Sequence, residues 1–242
     1  MRSFQSLHRW LGIELIEVSL AEKLVATLGG GLALLTLVGI THQVLYGAGG
    51  TAIVASMGAS AVLLFAVPHG ALSQPWPVLG GHLLSAFIGV LCARSIDNPA
   101  WAAACAVGFA IGAMHYFRCI HPPGGATALT AVLGGTAIHD LGFHYVLMPV
   151  MTNAFAMVLL AVLINACFPW RRYPAAFNRP GVPPPSHRPG DHAPPSHEEI
   201  VAALRSLDSF VDISEEDLLR LIEILPPHRA PPPPAPAEHH PK

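Results

Sequence analysis

Strongly charged side chains are scarce through the whole middle of this chain. Across residues 24–170 the only ones are Arg94, Asp97, Arg118 and Asp140, in a sequence of 242 residues. Charged residues make up 12% of the total, well below the roughly 25% that is usual for a soluble domain. An apolar region of this length is typical of an integral membrane protein, because its side chains must lie in the hydrocarbon of the bilayer. We therefore predict an all-α membrane domain over residues 23–170.

Six apolar segments follow one another within this domain. A helix needs about 20 apolar residues to cross the hydrocarbon, and residues 24–45, 78–96, 100–117 and 141–168 provide four such spans. Two further segments, residues 51–67 and 124–138, are ambiguous: the first is rich in small residues, and the second would cover only about 22 Å as a helix. We predict four long transmembrane helices plus two short segments, each a half-helix or a re-entrant segment, with six crossings as the alternative.

The two short segments also resemble each other. Residues 58–62 read Gly-Ala-Ser-Ala-Val, and residues 125–129 read Gly-Ala-Thr-Ala-Leu. Each follows one long span and precedes another, which suggests a two-fold internal repeat of the kind common in transporters. Six crossings would make the two repeats inverted, whereas four would make them parallel.

Cationic residues flank the membrane domain on both sides. Arg2, Arg9 and Lys23 precede it, and Arg171 and Arg172 follow it. The positive-inside rule then places both termini in the cytoplasm. We expect a multi-pass protein of a cell membrane, with the bacterial inner membrane as the first choice.

The regions outside the domain differ from it in composition. Residues 1–22 are predicted to form an amphipathic helix, because apolar residues recur on one helical face. Residues 171–195 form a Pro-rich linker, and residues 196–225 form a cytoplasmic pair of short helices with capping-box starts. The Pro-rich tail at residues 226–242 is expected to be disordered.

The most informative motif is His-Pro-Pro-Gly-Gly-Ala-Thr-Ala-Leu at residues 121–129. Tandem prolines cannot continue a helix but suit its first turn, so the chain should break near Pro122 and a new helix should open near Pro123. Free N–H groups and partial positive charge at a helix start favour an anion. Glycines at this start would let a ligand approach the backbone closely.

These features define a candidate solute-binding site and one alternative. The candidate residues are His121, Pro122, Pro123, Gly124, Gly125, Ala126, Thr127 and Arg118, with Gly58 and Ser60 from the matching segment. In the alternative, the break and its small residues only allow neighbouring helices to pack closely. His82 and His115 are the ionisable side chains best placed inside the membrane, where such groups suggest function.

Several other functions find little support in the sequence. No basic stripe or aromatic RNA-binding motif is present, so nucleic acid is not an expected partner. The domain contains only two acidic residues, which leaves little for acid–base catalysis, and we do not expect an enzyme. The histidines and cysteines lack the spacing of a closed metal site. No cofactor is expected, the lipid bilayer and a small anion are the expected partners, and a homo-oligomer stays open.

Three motifs, in order, resemble the HPP family of integral membrane proteins. They are the motif at residues 121–129, the Gly-Ala-Ser segment at residues 55–66, and Gln74-Pro75 followed by Gly-Gly-His-Leu-Leu-Ser-Ala at residues 80–86. The resemblance covers roughly residues 20–170. It implies a four-spanning protein with suspected transport activity, which plant and cyanobacterial relatives link to nitrite.

One departure from the family pattern is visible. The usual Ser-Pro step before Ala-Gln-Pro is replaced by His-Gly-Ala-Leu-Ser at residues 69–73, so the selectivity of a site at this loop would differ. Larger members continue into a CBS domain, which we do not expect here. The hypothesis is a transporter or channel for a small solute, with a small inorganic anion such as nitrite as first candidate. The alternative is a non-transporting scaffold whose cytoplasmic helices bind a partner.

Overall fold

The computed structural model describes residues 18–44 and 48–177, and this part of the chain is helical with no strand. The all-α prediction is therefore confirmed for the described residues. Only residues 18–22 of the predicted helix at residues 1–22 and residues 171–177 of the predicted linker are described, and the helical pair and the tail lie outside the described residues. The α-helices are α1 (Leu20–Val44), α2 (Ala48–Ala66), α3 (Pro75–Ser95), α4 (Pro99–Tyr116), α5 (Pro123–Leu133), α6 (Thr136–His139) and α7 (Thr152–Ala166).

Short helical turns complete the described chain. The segment Val146–Met151 leads directly into α7 and is kinked at Met148, whose φ of -127° and ψ of 116° are not helical. Three 3-10 turns lie at Ala71–Ser73, Pro169–Arg171 and Ala175–Phe177.

Three stretches are long and apolar enough to cross a membrane by length and composition. They are Leu20–Thr41, Pro75–Ser95 and Val146–Ala166. The 11 residues of α5 cover only about 16 Å, which agrees with the short segment expected there. This helix ends at Leu133 rather than near residue 138, because Gly135 takes a φ of 78° that interrupts a right-handed helix. The total number of crossings stays a prediction.

Glycine contacts show the relative direction of the helices. A Cβ on Gly81 of α3 would meet His121 just before α5, and a Cβ on Gly89 would meet Ala128, so α3 and α5 run in the same direction. Helix α2 joins α3 through the short connection at residues 67–74, and the two run antiparallel. Helices α2 and α5 therefore point in opposite directions, as an inverted repeat requires, while the repeat itself stays a prediction.

The outer surface and the helix interfaces use different side chains. Helix α1 exposes a row of leucines, namely Leu20, Leu24, Leu28, Leu32 and Leu35. An apolar outer face of this kind suits hydrocarbon rather than water. Helix α4 instead buries alanine at every fourth position, with Ala102, Ala106 and Ala110 fully covered. Small residues at this spacing allow close helix packing in a membrane protein.

A buried ion pair joins the start of α1 to the end of α7. The Arg171 guanidinium pairs with the Glu22 carboxylate, and the two residues are 1% and 4% exposed. Arg171 also donates to Asn165 Oδ1 at 3.1 Å and to the Phe65 carbonyl at 2.6 Å, while Trp170 Nε1 donates to Glu22 Oε2 at 3.1 Å.

This pair corrects one step of the sequence interpretation. Arg171 is not a free cation at the membrane surface, because Glu22 balances its charge in the interior. The contact instead places residues 22 and 171 on the same side of the bundle.

Candidate functional site

The chain breaks between helices α4 and α5. Helix α5 begins at Pro123, as predicted, whereas α4 ends at Tyr116, before the predicted break at Pro122. Arg118 adopts a positive φ of 53° within the break. His121 follows it and is fully buried. The break thus turns an imidazole into the protein interior just before the new helix starts.

Four buried polar side chains meet at this break, and we call Ser60, His82, His121 and Thr127 the polar network. Ser60 Oγ lies 2.9 Å from Nε2 of His82 and 2.9 Å from Nε2 of His121. His82 Nδ1 lies 2.8 Å from Thr127 Oγ1, and His121 Nδ1 lies 2.9 Å from the carbonyl oxygen of Leu72. All four side chains of the network have 0% exposure.

Each member of the network comes from a different element. Helix α2 supplies Ser60, α3 supplies His82, the break supplies His121, and α5 supplies Thr127. Ser60 lies six residues before the end of α2, about 9 Å along the helix axis. The network therefore lies about 9 Å inside the bundle, measured from the side on which α2 ends and α3 begins.

Small residues let these elements approach closely enough for the contacts. A Cβ on Gly81 would lie 2.7 Å from the His121 Cβ, and a Cβ on Gly124 would lie 2.7 Å from Ser85 Oγ. Tyr145 supports α5 by donating its hydroxyl to the Thr127 carbonyl at 2.9 Å. These contacts hold the imidazoles in place from both sides.

One assignment of hydrogens gives a partner to every ring nitrogen of two neutral imidazoles. The Leu72 carbonyl can only accept, so His121 carries its proton on Nδ1 and its Nε2 accepts from Ser60. The Ser60 oxygen then accepts from Nε2–H of His82, whose Nδ1 accepts from Thr127. With both imidazoles neutral, every ring nitrogen has one partner.

The structure brings together only some of the predicted site residues. Ser60, His121 and Thr127 meet in the network, whereas Arg118 is exposed. The Gly124 N–H donates to the His121 carbonyl at 2.8 Å and the Gly125 N–H donates to the Pro122 carbonyl at 3.0 Å. Two of the backbone donors expected for an anion are therefore already engaged within the turn.

The remaining predicted residues lie around the network rather than in it. Pro123 is buried, Gly58 and Gly125 are half-buried, and Pro122 and Ala126 are exposed. A Cβ on Gly125 would meet nothing within 4 Å, so the close packing that the alternative predicted for the small residues of the break occurs at Gly124 and not at Gly125.

Sequence reasoning missed several contributors. His82 was singled out as an intramembrane histidine but was not assigned to the site, and the Leu72 carbonyl and Tyr145 were not considered. The Gly-Gly-His motif that precedes Leu83 was the available signal for His82. A backbone carbonyl has no signal in the sequence.

An all-helical bundle with an apolar outer face and a buried polar network defines this chain as an integral membrane protein with several apolar helices. The model of the family described as HPP, transmembrane region, matches residues 16–174, and the chain belongs to this family.

Two curated relatives come from Dictyostelium discoideum, and both are described as transmembrane proteins. One is 40% identical over 123 residues, which are 49% of this chain and 39% of the relative. The other is 37% identical over 126 residues, which are 50% of this chain and 44% of the relative. The match thus spans less than half the length of either relative. No solved structure matches significantly.

Proposed function

We propose that this chain is a transporter or channel for a small solute, and that the polar network forms part of the solute path. The observation that carries the proposal is the complete burial of two histidines, a serine and a threonine in one hydrogen-bonded cluster between the helices. Polar and ionisable groups inside a membrane are costly, and they commonly mark substrate or ion pathways.

A small inorganic anion such as nitrite is the first candidate for the solute. The family resemblance described above implies nitrite, and the start of α5 contributes a favourable dipole. The Gly124 and Gly125 N–H groups already have acceptors, and the Ser60 and Thr127 hydroxyls and the His82 Nε2–H donate within the network. An anion that binds at the network must therefore displace one of these hydrogen bonds. A Cβ on Gly125 would meet nothing within 4 Å.

We also propose a cell-membrane location, with a bacterial inner membrane as first choice, and both termini in the cytoplasm. The Glu22–Arg171 pair supports a common side for the two ends of the described domain. Lys23, next to this pair and exposed, supports a cytoplasmic assignment by the positive-inside rule.

The test is solute flux into liposomes that contain the purified full chain. Nitrite, nitrate and chloride are compared with a neutral solute of similar size, and protein-free liposomes provide the background. We expect flux above background for at least one anion and none for the neutral solute. Background-level flux for every solute would contradict the proposal.

A truncated chain separates transport from the scaffold alternative. The truncation should remove residues 178–242 and keep Tyr173, which is buried and donates to the Ser73 carbonyl at 2.8 Å. A transporter is expected to show the same flux before and after this truncation. A non-transporting scaffold shows no flux in either form.

A further inference from the structure

The hydrogen bonds of the polar network form one continuous chain. Thr127 donates to His82, His82 to Ser60, Ser60 to His121, and His121 to the Leu72 carbonyl, with distances of 2.8 to 2.9 Å. Each histidine accepts at one ring nitrogen and donates at the other. Histidine in this arrangement can take up a proton on one side and release one on the other.

The same region lacks a fixed positive charge for an anion. Arg118 is exposed, Arg171 is paired with Glu22, and Arg94 is exposed at the far end of α3. Among the described residues, no lysine or arginine hydrogen-bonds to the network. Burying an isolated anion in an apolar interior is very costly, so an anion at the network needs a positive charge that arrives with it.

We propose that the chain moves its anion together with a proton, and that His82, Ser60 and His121 relay this proton. The inference rests on the proposed function of anion transport. The proton donor is hydronium or the undissociated acid of the anion. A protonated histidine supplies the charge that the resting network lacks, and it does so only while the anion is present to balance it.

The proton first binds at His82 Nδ1. Thr127 frees this nitrogen by turning its hydroxyl to the Pro123 carbonyl, 3.4 Å from its Oγ1. The His82 Nε2 proton then passes to Ser60 Oγ while the Ser60 proton passes to His121 Nε2. One N–H and one O–H bond break, and one of each forms. His82 is left neutral with hydrogen on Nδ1, Ser60 is again a hydroxyl, and His121 carries the charge.

Transfer is completed when His121 breaks its hydrogen bond to the Leu72 carbonyl and loses its Nδ1 proton to a water molecule on that side. Hydrogen then lies on His82 Nδ1 and His121 Nε2, so each ring must reorient to restore the resting arrangement before a second proton passes.

The other titratable groups on the elements around the rings are Tyr145, which supports α5, and the buried Cys119 of the break. His69 precedes Leu72 in its loop but lies beside Arg171 and Arg172. No carboxylate of the described residues hydrogen-bonds to either imidazole. The two histidines are therefore the proton acceptors of this region.

Proteoliposomes loaded with a pH-sensitive dye test the coupling. With the membrane potential clamped by potassium and valinomycin, an inward proton gradient should drive uphill accumulation of nitrate or nitrite, and the lumen should acidify in step. Protein-free liposomes correct for leakage of undissociated nitrous acid. His82→Gln should abolish proton-driven accumulation, whereas His115→Gln, at an exposed histidine outside the network, should retain it.

Nitrogen NMR of the histidines in lipid nanodiscs gives a second readout that does not depend on flux. The resting chain should show His82 protonated on Nε2 and His121 protonated on Nδ1. The opposite tautomers would overturn the relay even if transport were coupled.

The outcomes separate the relay from the function on which it rests. Anion flux that ignores the pH gradient and carries no protons would overturn the relay and leave the proposed function standing. Accumulation in His82→Gln equal to that of the unmodified chain would also overturn the relay. Background flux for every anion would overturn both.

Discussion

At the residue scale, Thr127 holds the polar network to two neighbouring elements. Its hydroxyl lies 2.8 Å from His82 Nδ1, and its backbone carbonyl accepts from Tyr145 at 2.9 Å. Its side chain is fully buried. Loss of this hydroxyl would leave the His82 nitrogen without a donor in a fully buried site.

Thr127→Val should therefore destabilise the chain by about 1–3 kcal/mol, the usual cost of an unsatisfied buried polar group. Thr130→Val is the matched control on the same helix, because the Thr130 hydroxyl donates only to the Ala126 carbonyl one turn earlier. Thermal and denaturant unfolding in detergent measure the difference. Equal losses in the two variants would show that the His82 contact contributes nothing.

Arg171 provides a second prediction at this scale. Arg171→Met removes the cation and leaves Glu22 buried and unpaired, which should cost about 3–5 kcal/mol of unfolding free energy. The double variant Glu22→Gln with Arg171→Met should recover much of this loss. Arg172→Met, at the exposed neighbour, should be close to neutral, and a similar loss there would contradict the pairing.

Residue types alone identified part of the site. Ser60, His121 and Thr127 stood out because they belong to two matching small-residue segments and a proline break. The sequence could not show that Arg118 turns outward, because this depends on its positive φ within the break. It also could not show that Arg171 is buried, since its partner Glu22 lies 149 residues away.

At the element scale, the crossing of α3 and α5 depends on which glycine faces the partner helix. A Cβ on Gly124 would lie 2.7 Å from Ser85 Oγ and 3.1 Å from the Gly81 carbonyl oxygen, whereas a Cβ on Gly125 would meet nothing within 4 Å. Adjacent glycines thus have different roles. The first permits close packing, and the second borders open space.

Gly124→Ala should lower the unfolding free energy by about 1–3 kcal/mol, because the added methyl group overpacks the crossing. Gly125→Ala is the matched control and should leave stability nearly unchanged. If Gly125 borders the solute path, Gly125→Val should reduce flux without a loss of stability. A larger loss of stability at Gly125 than at Gly124 would contradict the described crossing.

Proline and glycine made the break and the shortness of α5 predictable. Pro122 and Pro123 fix the helix start, and the Gly134-Gly135 pair ends the helix early. The part played by the loop before α3 was less visible. The Leu72 carbonyl reaches His121 because Ser73 donates to the Leu63 carbonyl at 3.0 Å and folds this loop back against α2. This is the loop in which the chain departs from the family pattern. Because its Leu72 carbonyl contacts His121, a change in the loop can alter the network and with it the selectivity.

At the scale of the whole molecule, the ion pair places both ends of the described domain on one side. Helix α3 contains 21 residues and is about 32 Å long, enough to cross the hydrocarbon. The connection after it, which includes the exposed Asp97, should then face the opposite side from Leu20 at the start of α1.

Leu20→Cys and Asp97→Cys, each in a background without the native cysteines, test this arrangement in intact cells. A membrane-impermeant maleimide added outside should label position 97, and position 20 should react only after permeabilisation. Labelling of both positions from the same side would contradict the proposed topology.

The central claim is that the polar network forms part of the path of the solute. The most direct measurement compares anion flux of Ser60→Ala and Ser85→Ala in liposomes at matched protein content and stability. Ser60 joins the two histidines, while Ser85 is equally buried but has only a long contact of 3.9 Å from its Oγ to Met114 Sδ. We predict that Ser60→Ala loses anion flux and Ser85→Ala keeps it. Flux in Ser60→Ala equal to that of the unmodified chain would contradict the account.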